Sequence, residues 1–114
     1  MSNAFTLTAD APWVETGPGM RRQILARGDD LMMVRVDFED NAFGVLHHHP
    51  HRQVTWVAAG CFEVSVGGEK RVLRSGDSFF AAKDVEHSVL ALEAGTLIDV
   101  FTPAREDFLA KPAR

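Results

Sequence analysis

Three observations predict an all-β sandwich or barrel. Short runs of alternating apolar and polar residues recur along the chain, and turn signals rich in Gly, Asp and Asn separate them. No segment before residue 103 sustains a 3.6-residue apolar period. In chain order, the turn signal Gly17-Pro18-Gly19 precedes a run from Arg22 to Ala26, and Gly28-Asp29-Asp30 precedes Met32 to Phe38, whose even positions are apolar. After Asp40-Asn41 comes a histidine-rich stretch, then runs over Val54 to Ala58 and Cys61 to Val66. Gly67-Gly68 between strand-like runs reads as a tight hairpin. Ser75-Gly76-Asp77 and Ala94-Gly95 bound the remaining runs, His87 to Leu92 and Thr96 to Thr102. Gly60 and Gly76 read as turn residues that place the strands around them. After Pro103, Arg105 to Lys111 is expected to form a short helix.

Length and composition bound the function. At 114 residues the chain suits one domain, and its 46% apolar and 25% charged residues are those of a globular protein. Twelve Lys and Arg against sixteen Asp and Glu give a net charge of −4, a poor fit to nucleic acid or an anionic membrane. The lone Cys61 has no internal disulfide partner and reads as a small core residue. No apolar run approaches the ~20 residues of a membrane span. The N-terminal segment lacks the basic start and apolar stretch of a signal peptide, so the expected location is cytoplasmic.

Four of the five histidines fall within Leu46-His47-His48-His49-Pro50-His51-Arg52-Gln53, and the fifth is His87. Strand alternation puts His47 and His49 on one face and His48 on the other. His47 and His49 can therefore converge on one ion, whereas His48 cannot. His51 has the right parity, but Pro50 interrupts the strand and leaves its direction open. The forward spacing is His47-x-His49-x3-Gln53-x6-Gly60, then Gly76-x10-His87. It resembles the two motifs of the cupins, in which His, His, Glu or Gln, and a distant His hold one metal inside a small β-barrel. Cupins often carry Pro and Gly where this chain has Ala82 and Asp84, a departure that touches the turn before His87 and not the ligand. Three imidazoles and an amide oxygen suit Ni, Zn, Mn, Fe or Co. A neutral Gln53 leaves the full dipositive charge of an ion uncompensated, which favours an anionic, oxygen-rich substrate and Lewis-acid chemistry.

Asp99 and Phe101 alternate with Ile98 and Val100 and so share a strand face. Periodicity alone leaves Asp99 either facing solvent, paired with Arg105, or in a functional site. The run from Asp99 to Leu109, together with His-x-His-Pro-His-x-Gln, resembles the signature of the KdgF family of pectin-degradation cupins over about Trp13 to Leu109. That resemblance implies a single-domain double-stranded β-helix, an RmlC-like jelly roll over residues 1–114, with its barrel core at about 30–102. It implies one divalent transition metal on His47, His49, Gln53 and His87, and active-site roles for Asp99, Phe101 and Arg105. It further implies a homodimer whose small-molecule substrate is an anionic sugar. The implied reaction is ring opening and ketonisation of 4,5-unsaturated monouronates from pectin or alginate breakdown, an enzyme of the isomerase type. A dioxygenase sharing the ligand set and a non-catalytic sugar- or metal-binding cupin are the alternatives.

Other residues read more plainly. Trp13 and Trp56 are candidates to line a sugar pocket, but Trp56 has parity opposite to Gln53, which points to core or dimer packing. Met20, Met32 and Met33 read as packing residues. Arg21-Arg22 is too short a basic pair to mark a nucleic-acid site.

Overall fold

The computed structural model describes residues 4–110, the side chains of Leu46 and Ala110 excepted. Two long antiparallel strands organise it: β5 (Arg52–Val66) and β8 (His87–Thr102), in register from Arg52 opposite Thr102 to Val66 opposite His87. The first half of β5 and second half of β8 lie in one face of the barrel. There β8 pairs with β3 (Met32–Phe38), which continues to β2 (Met20–Arg27) and β1 (Trp13–Gly17), while β5 pairs with β7 (Ser78–Ala81). The other halves lie in the opposite face, with β6 (Glu69–Arg74) on β5 and β4 (Phe43–His47) on β8. This is the predicted all-β jelly roll, and the short helix α1 (Glu106–Ala110) follows β8. Lys111, the last residue of the expected helix, lies outside the described residues.

Two expected turns are corrected. Ala94-Gly95 does not separate two strands, and Gly60 does not end one; β5 and β8 each run on through the glycine. The cause is crowding where the two strands bend past each other. A Cβ on Gly60, whose φ is +94°, would stand 2.7 Å from the Ala94 carbonyl oxygen and from the Gly95 Cα. Irregular register between Val57 and Phe62 marks the bend, as bulges do. Glycine is needed here for close approach. The expected hairpin stands: Gly67 and Gly68 join β5 to β6 with φ of +57° and +88°.

Alternation along the bent strands fills the interior. Around the bend, Val57, Phe62, Val64, Ala91 and Leu97 pack with Phe38, Ala42 and Val89 into an apolar cluster, with Phe38 edge-on to Phe62 at 5.1 Å. Fully burying a side chain such as Phe62 is worth roughly 1.5–3 kcal/mol. A second cluster of Met32, Val34, Phe101 and Ala104 lies under α1, with Phe108 against it. Cys61 is buried, as expected of a core residue. Met32 is buried too, but Met33 faces outward and Trp56 is half-exposed on the outer face, so the core option for Trp56 falls.

Candidate metal centre

The polar residues of β5 and β8 point inward at the strand ends furthest from the bend. His47 ends β4 directly opposite His87, the first residue of β8. His49 follows in the connection to β5, where the Asp84 amide donates to its carbonyl at 2.8 Å. Asp84 makes that bond from a left-handed conformation, φ +61°, at the position where cupins often carry Gly. The departure in sequence is thus absorbed by an aspartate that tolerates the same turn.

His47, His49 and His87 converge, each offering a ring nitrogen within 4.8 Å of the others. Their outer nitrogens are fixed by backbone. Nδ1 of His47 lies 2.8 Å from the Val45 carbonyl, Nδ1 of His49 lies 3.0 Å from that of His51, and Nδ1 of His87 lies 2.9 Å from that of Val85. A carbonyl only accepts, so each Nδ1 carries the proton and each Nε2 presents a lone pair. His87 Nε2 is buried with no hydrogen-bond partner. His48 is exposed and outside the cluster, as alternation predicts. His51 stands behind His49, ring to ring at 5.5 Å, and lends only its carbonyl.

Gln53 joins the cluster through its amide oxygen, 3.0 Å from His49 Nε2. Its amide nitrogen donates to the Thr55 hydroxyl at 2.8 Å and to Asp99 Oδ1 at 3.3 Å, and the hydroxyl donates to the same carboxylate at 2.6 Å. Flipping the amide would set its oxygen against these acceptors. The orientation is therefore fixed, and with the His49 ring neutral two lone pairs, on Gln53 Oε1 and His49 Nε2, face each other. A bound cation satisfies both. The orphaned His87 nitrogen and the nitrogen–oxygen donor set fit a divalent transition metal.

Electrostatics prepare the same residues. Burial lowers the pKa of His87 to about 4, with the charge of Arg105 adding to it and the hydrogen bond to the Val85 carbonyl opposing it, and so keeps the ring neutral and ligating. Burial, with the charge of Arg105 adding to it, also holds His49 below the usual histidine range against the opposing contacts with Gln53 and the His51 carbonyl. Asp99 keeps some exposed surface, yet burial of its carboxyl raises its pKa to about 6 against the opposing pull of Thr55, Arg105 and Gln53. Its carboxyl thus does not face solvent, and its hydrogen bonds come from Thr55 and Gln53, not from Arg105.

Asp99, Phe101 and Arg105 share a cavity of about 220 Å³ with His47, Gln53 and His87. That volume equals about seven waters, the scale of one sugar ring. Phe101 stands edge-on to His49 at 5.7 Å, and Arg105 lies 5.1 Å from the Phe101 ring centre. Arg105 also donates to Asp107 from Nε at 3.0 Å and from Nη2 at 2.7 Å. Thr55, Phe108 and Arg22 belong to the constellation and went unread in the sequence. Arg22 lines the same cavity, and the signal was its parity with Met20 on β2. Neither tryptophan lines it: Trp13 lies under Arg21 on the outer face, with the Arg21 guanidinium carbon 3.8 Å from the centre of its ring.

A family model described as Cupin domain matches residues 34–101. Pectin degradation protein KdgF of Dickeya dadantii (strain 3937) is 50% identical over 107 residues, 92% of this chain and 97% of that one. An RmlC-like cupin from Shewanella frigidimarina NCIMB 400 superposes with a TM-score of 0.89 at 41% identity, covering 94% of this chain and 96% of its own. KdgF from Halomonas sp. gives 0.86 at 40% identity, over 91% and 96%. An oxalate decarboxylase variant of Bacillus subtilis, at 19% identity and a TM-score of 0.80, covers 94% of this chain and 32% of its own and shares the fold.

Proposed function

The chain belongs to the cupin family and, within it, to the KdgF family, and from that premise we propose that it is a metal-dependent isomerase of 4,5-unsaturated monouronates. The observation that carries this reading is the placement of a buried carboxyl with a raised pKa, Asp99, on the wall of the cavity that His47, His87 and Gln53 also line. His47, His49 and His87 would hold the ion, with the Gln53 oxygen as the fourth donor. A divalent ion bound there supplies Lewis acidity toward substrate oxygens.

The protein's own groups account for the proton movements. The Asp99 carboxylate takes the proton of the anomeric hydroxyl. The bond from the anomeric carbon to the ring oxygen then breaks, leaving an aldehyde and an enolate on the former ring oxygen. Asp99 delivers the proton it took to carbon 4, which completes the ketonisation and restores the carboxylate. Nothing is oxidised or reduced overall, and substrate and product are isomers. A carboxyl with a pKa of about 6 exchanges protons readily near neutrality. Thr55 and Gln53 hold that carboxyl in place. Phe101 packs the sugar ring and keeps water away, and Arg105 supplies positive charge toward the uronate carboxylate.

The reading places the protein in the cytoplasm, where monouronates would be processed; no helix among the described residues is long and apolar enough to cross a membrane. It also assigns a second copy of the chain to the outer face, where Val54 and Phe80 are cross-strand partners beside Trp56, all at least half-exposed. Sedimentation should give twice the monomer mass, and Trp56→Glu should give the monomer.

The test is an assay on freshly made 4,5-unsaturated galacturonate, following the loss of ultraviolet absorbance of its conjugated double bond. Chelator-sensitive acceleration is expected. Metal-loaded protein that binds the sugar without accelerating its decay would replace the isomerase reading with a binding role.

A further inference from the structure

Arg22 is a charged residue on an inward-facing position of β2. It pairs with Val14 on one side and Val36 on the other, and it lines the cavity along with Val34, Val36 and Phe108. Its Nε is buried and has no hydrogen-bond partner, and among the described residues it forms no ion pair. An unpaired guanidinium in such a wall is costly unless something supplies the missing acceptor. The phenyl ring of Phe108 offers part of the compensation: the Arg22 guanidinium carbon stands 3.8 Å from its centre.

The same ring carries a second cation. Arg105 lies 4.1 Å from the Phe108 centre. Two guanidinium groups on one ring repel each other, and the repulsion is felt at Arg22, which burial and Arg105 together hold below the usual arginine pKa. The two differ in one respect. The fork of Arg105, Nε and Nη2, is taken by both oxygens of Asp107. Arg22 feels the charge of Asp107 but shares no hydrogen bond or ion pair with it among the described residues. The cavity thus holds one satisfied arginine and one that is not, both facing the space beside Phe101.

The geometry points to Arg22 as the residue that receives the ligand's carboxylate, with Arg105, its fork held by Asp107, as the second arm of a two-arginine clamp built around Phe108. The assignment rests on the proposed uronate reading and deepens it. A carboxylate arriving here gains charge-assisted hydrogen bonds from Arg22 and relieves the repulsion between the two cations. It also makes Arg22 a specificity determinant, separating a uronate from a neutral sugar of the same shape.

D-galacturonate and D-galactose, titrated calorimetrically into metal-loaded protein, are the probes. Wild type should bind galacturonate and favour it over galactose. Arg22→Met keeps the stem against Phe108 and removes the charge. It should weaken galacturonate binding about 10- to 100-fold, the range of a hydrogen bond to a charged group. It should leave galactose binding and metal content unchanged. Arg22→Lys should restore part of the preference for the acid. With unsaturated galacturonate, Arg22→Met should raise KM by a similar factor and change kcat less than about threefold.

The outcomes separate. Unchanged galacturonate binding and KM in Arg22→Met, with active wild type, overturn the clamp and leave the isomerase. Galacturonate binding that is lost in Arg22→Met, with inert wild type, keeps the clamp and overturns the isomerase. Equal losses for acid and neutral sugar show that Arg22 only pins α1, and overturn the clamp. Wild type that binds neither sugar and turns over nothing overturns both.

Discussion

At the closed end of the barrel, β5 and β8 turn Val57, Phe62, Val64, Ala91 and Leu97 inward; at the open end the same strands turn in Gln53, Thr55, His87 and Asp99. Backbone geometry is shared, and only distance from the glycine bend distinguishes the two. The closed end needs no partner beyond itself, since close-packed apolar side chains satisfy one another. At the open end, His87 has an unpaired nitrogen, Asp99 has a raised pKa and Gln53 faces an imidazole lone pair. Burial that stabilises one end strains the other. The difference teaches that the site is held in an unfavourable state by a core that does not share its chemistry.

That contrast can be broken from either side. The largest effect should come from Asp99→Asn, which keeps the shape of the open end and removes its proton carrier: kcat should fall by roughly 10²- to 10⁴-fold with metal content unchanged by elemental analysis. Near-normal turnover would take Asp99 out of the reaction. Next, Phe62→Ala at the closed end should cost about 3–5 kcal/mol in denaturant unfolding while leaving the metal stoichiometry of the folded fraction intact. A loss of metal in parallel with stability would show that the two ends are not separable. A smaller change should follow Gln53→Glu, which compensates the ion and sets a second carboxylate near Asp99. The preference for galacturonate over galactose should drop on the order of tenfold, the scale of one added charge at close range. An unchanged preference would refute the role given to the neutral amide.

The smallest effect concerns an outer brace of the closed end. Burial works against the ionised form of Asp37, but hydrogen bonds from Arg35 and Thr96 and the charges of Arg35 and Arg21 hold its pKa below the usual carboxylate value. Its contribution is full above the unfolded pKa of about 3.9 and is lost as pH falls below it. Asp37→Asn should therefore lower the melting temperature slightly at neutral pH, by no more than about 1 kcal/mol of stability, and flatten the acid limb. An acid limb as steep as that of the wild type would assign it to other carboxylates.

Much of the open end was legible because metal ligation constrains spacing. His47, His49 and Gln53 on one parity, with His87 after a second glycine, carry the cluster in the sequence, and the structure brings these four together. Strand alternation likewise places Asp99 and Phe101 on one wall. Arg22 was hidden because an arginine in a strand run is most often a surface charge, and its meaning depends on Phe108, 86 residues later. The Asp107 fork on Arg105 was hidden for the same reason, since two charges two residues apart reveal nothing until the backbone turns. Gly60 and Gly95 resembled turns because glycine marks both turns and crossings. Only the packing of one strand against the other tells them apart.

β8 is the strand that β3, β4 and β5 all share, and among the described residues it is the last strand in the chain. On a ribosome, where chains emerge N-terminus first, seven strands leave the exit tunnel before the one that joins them. His47 and His49 emerge as an incomplete chelate, and Asp99 arrives with β8 and Arg105 just after it. Insertion of β8 closes the barrel and supplies His87 in the same event. Completion of the three-imidazole set is thereby coupled to closure of the barrel, and a nascent chain stalled before His87 offers an ion two of its three imidazoles.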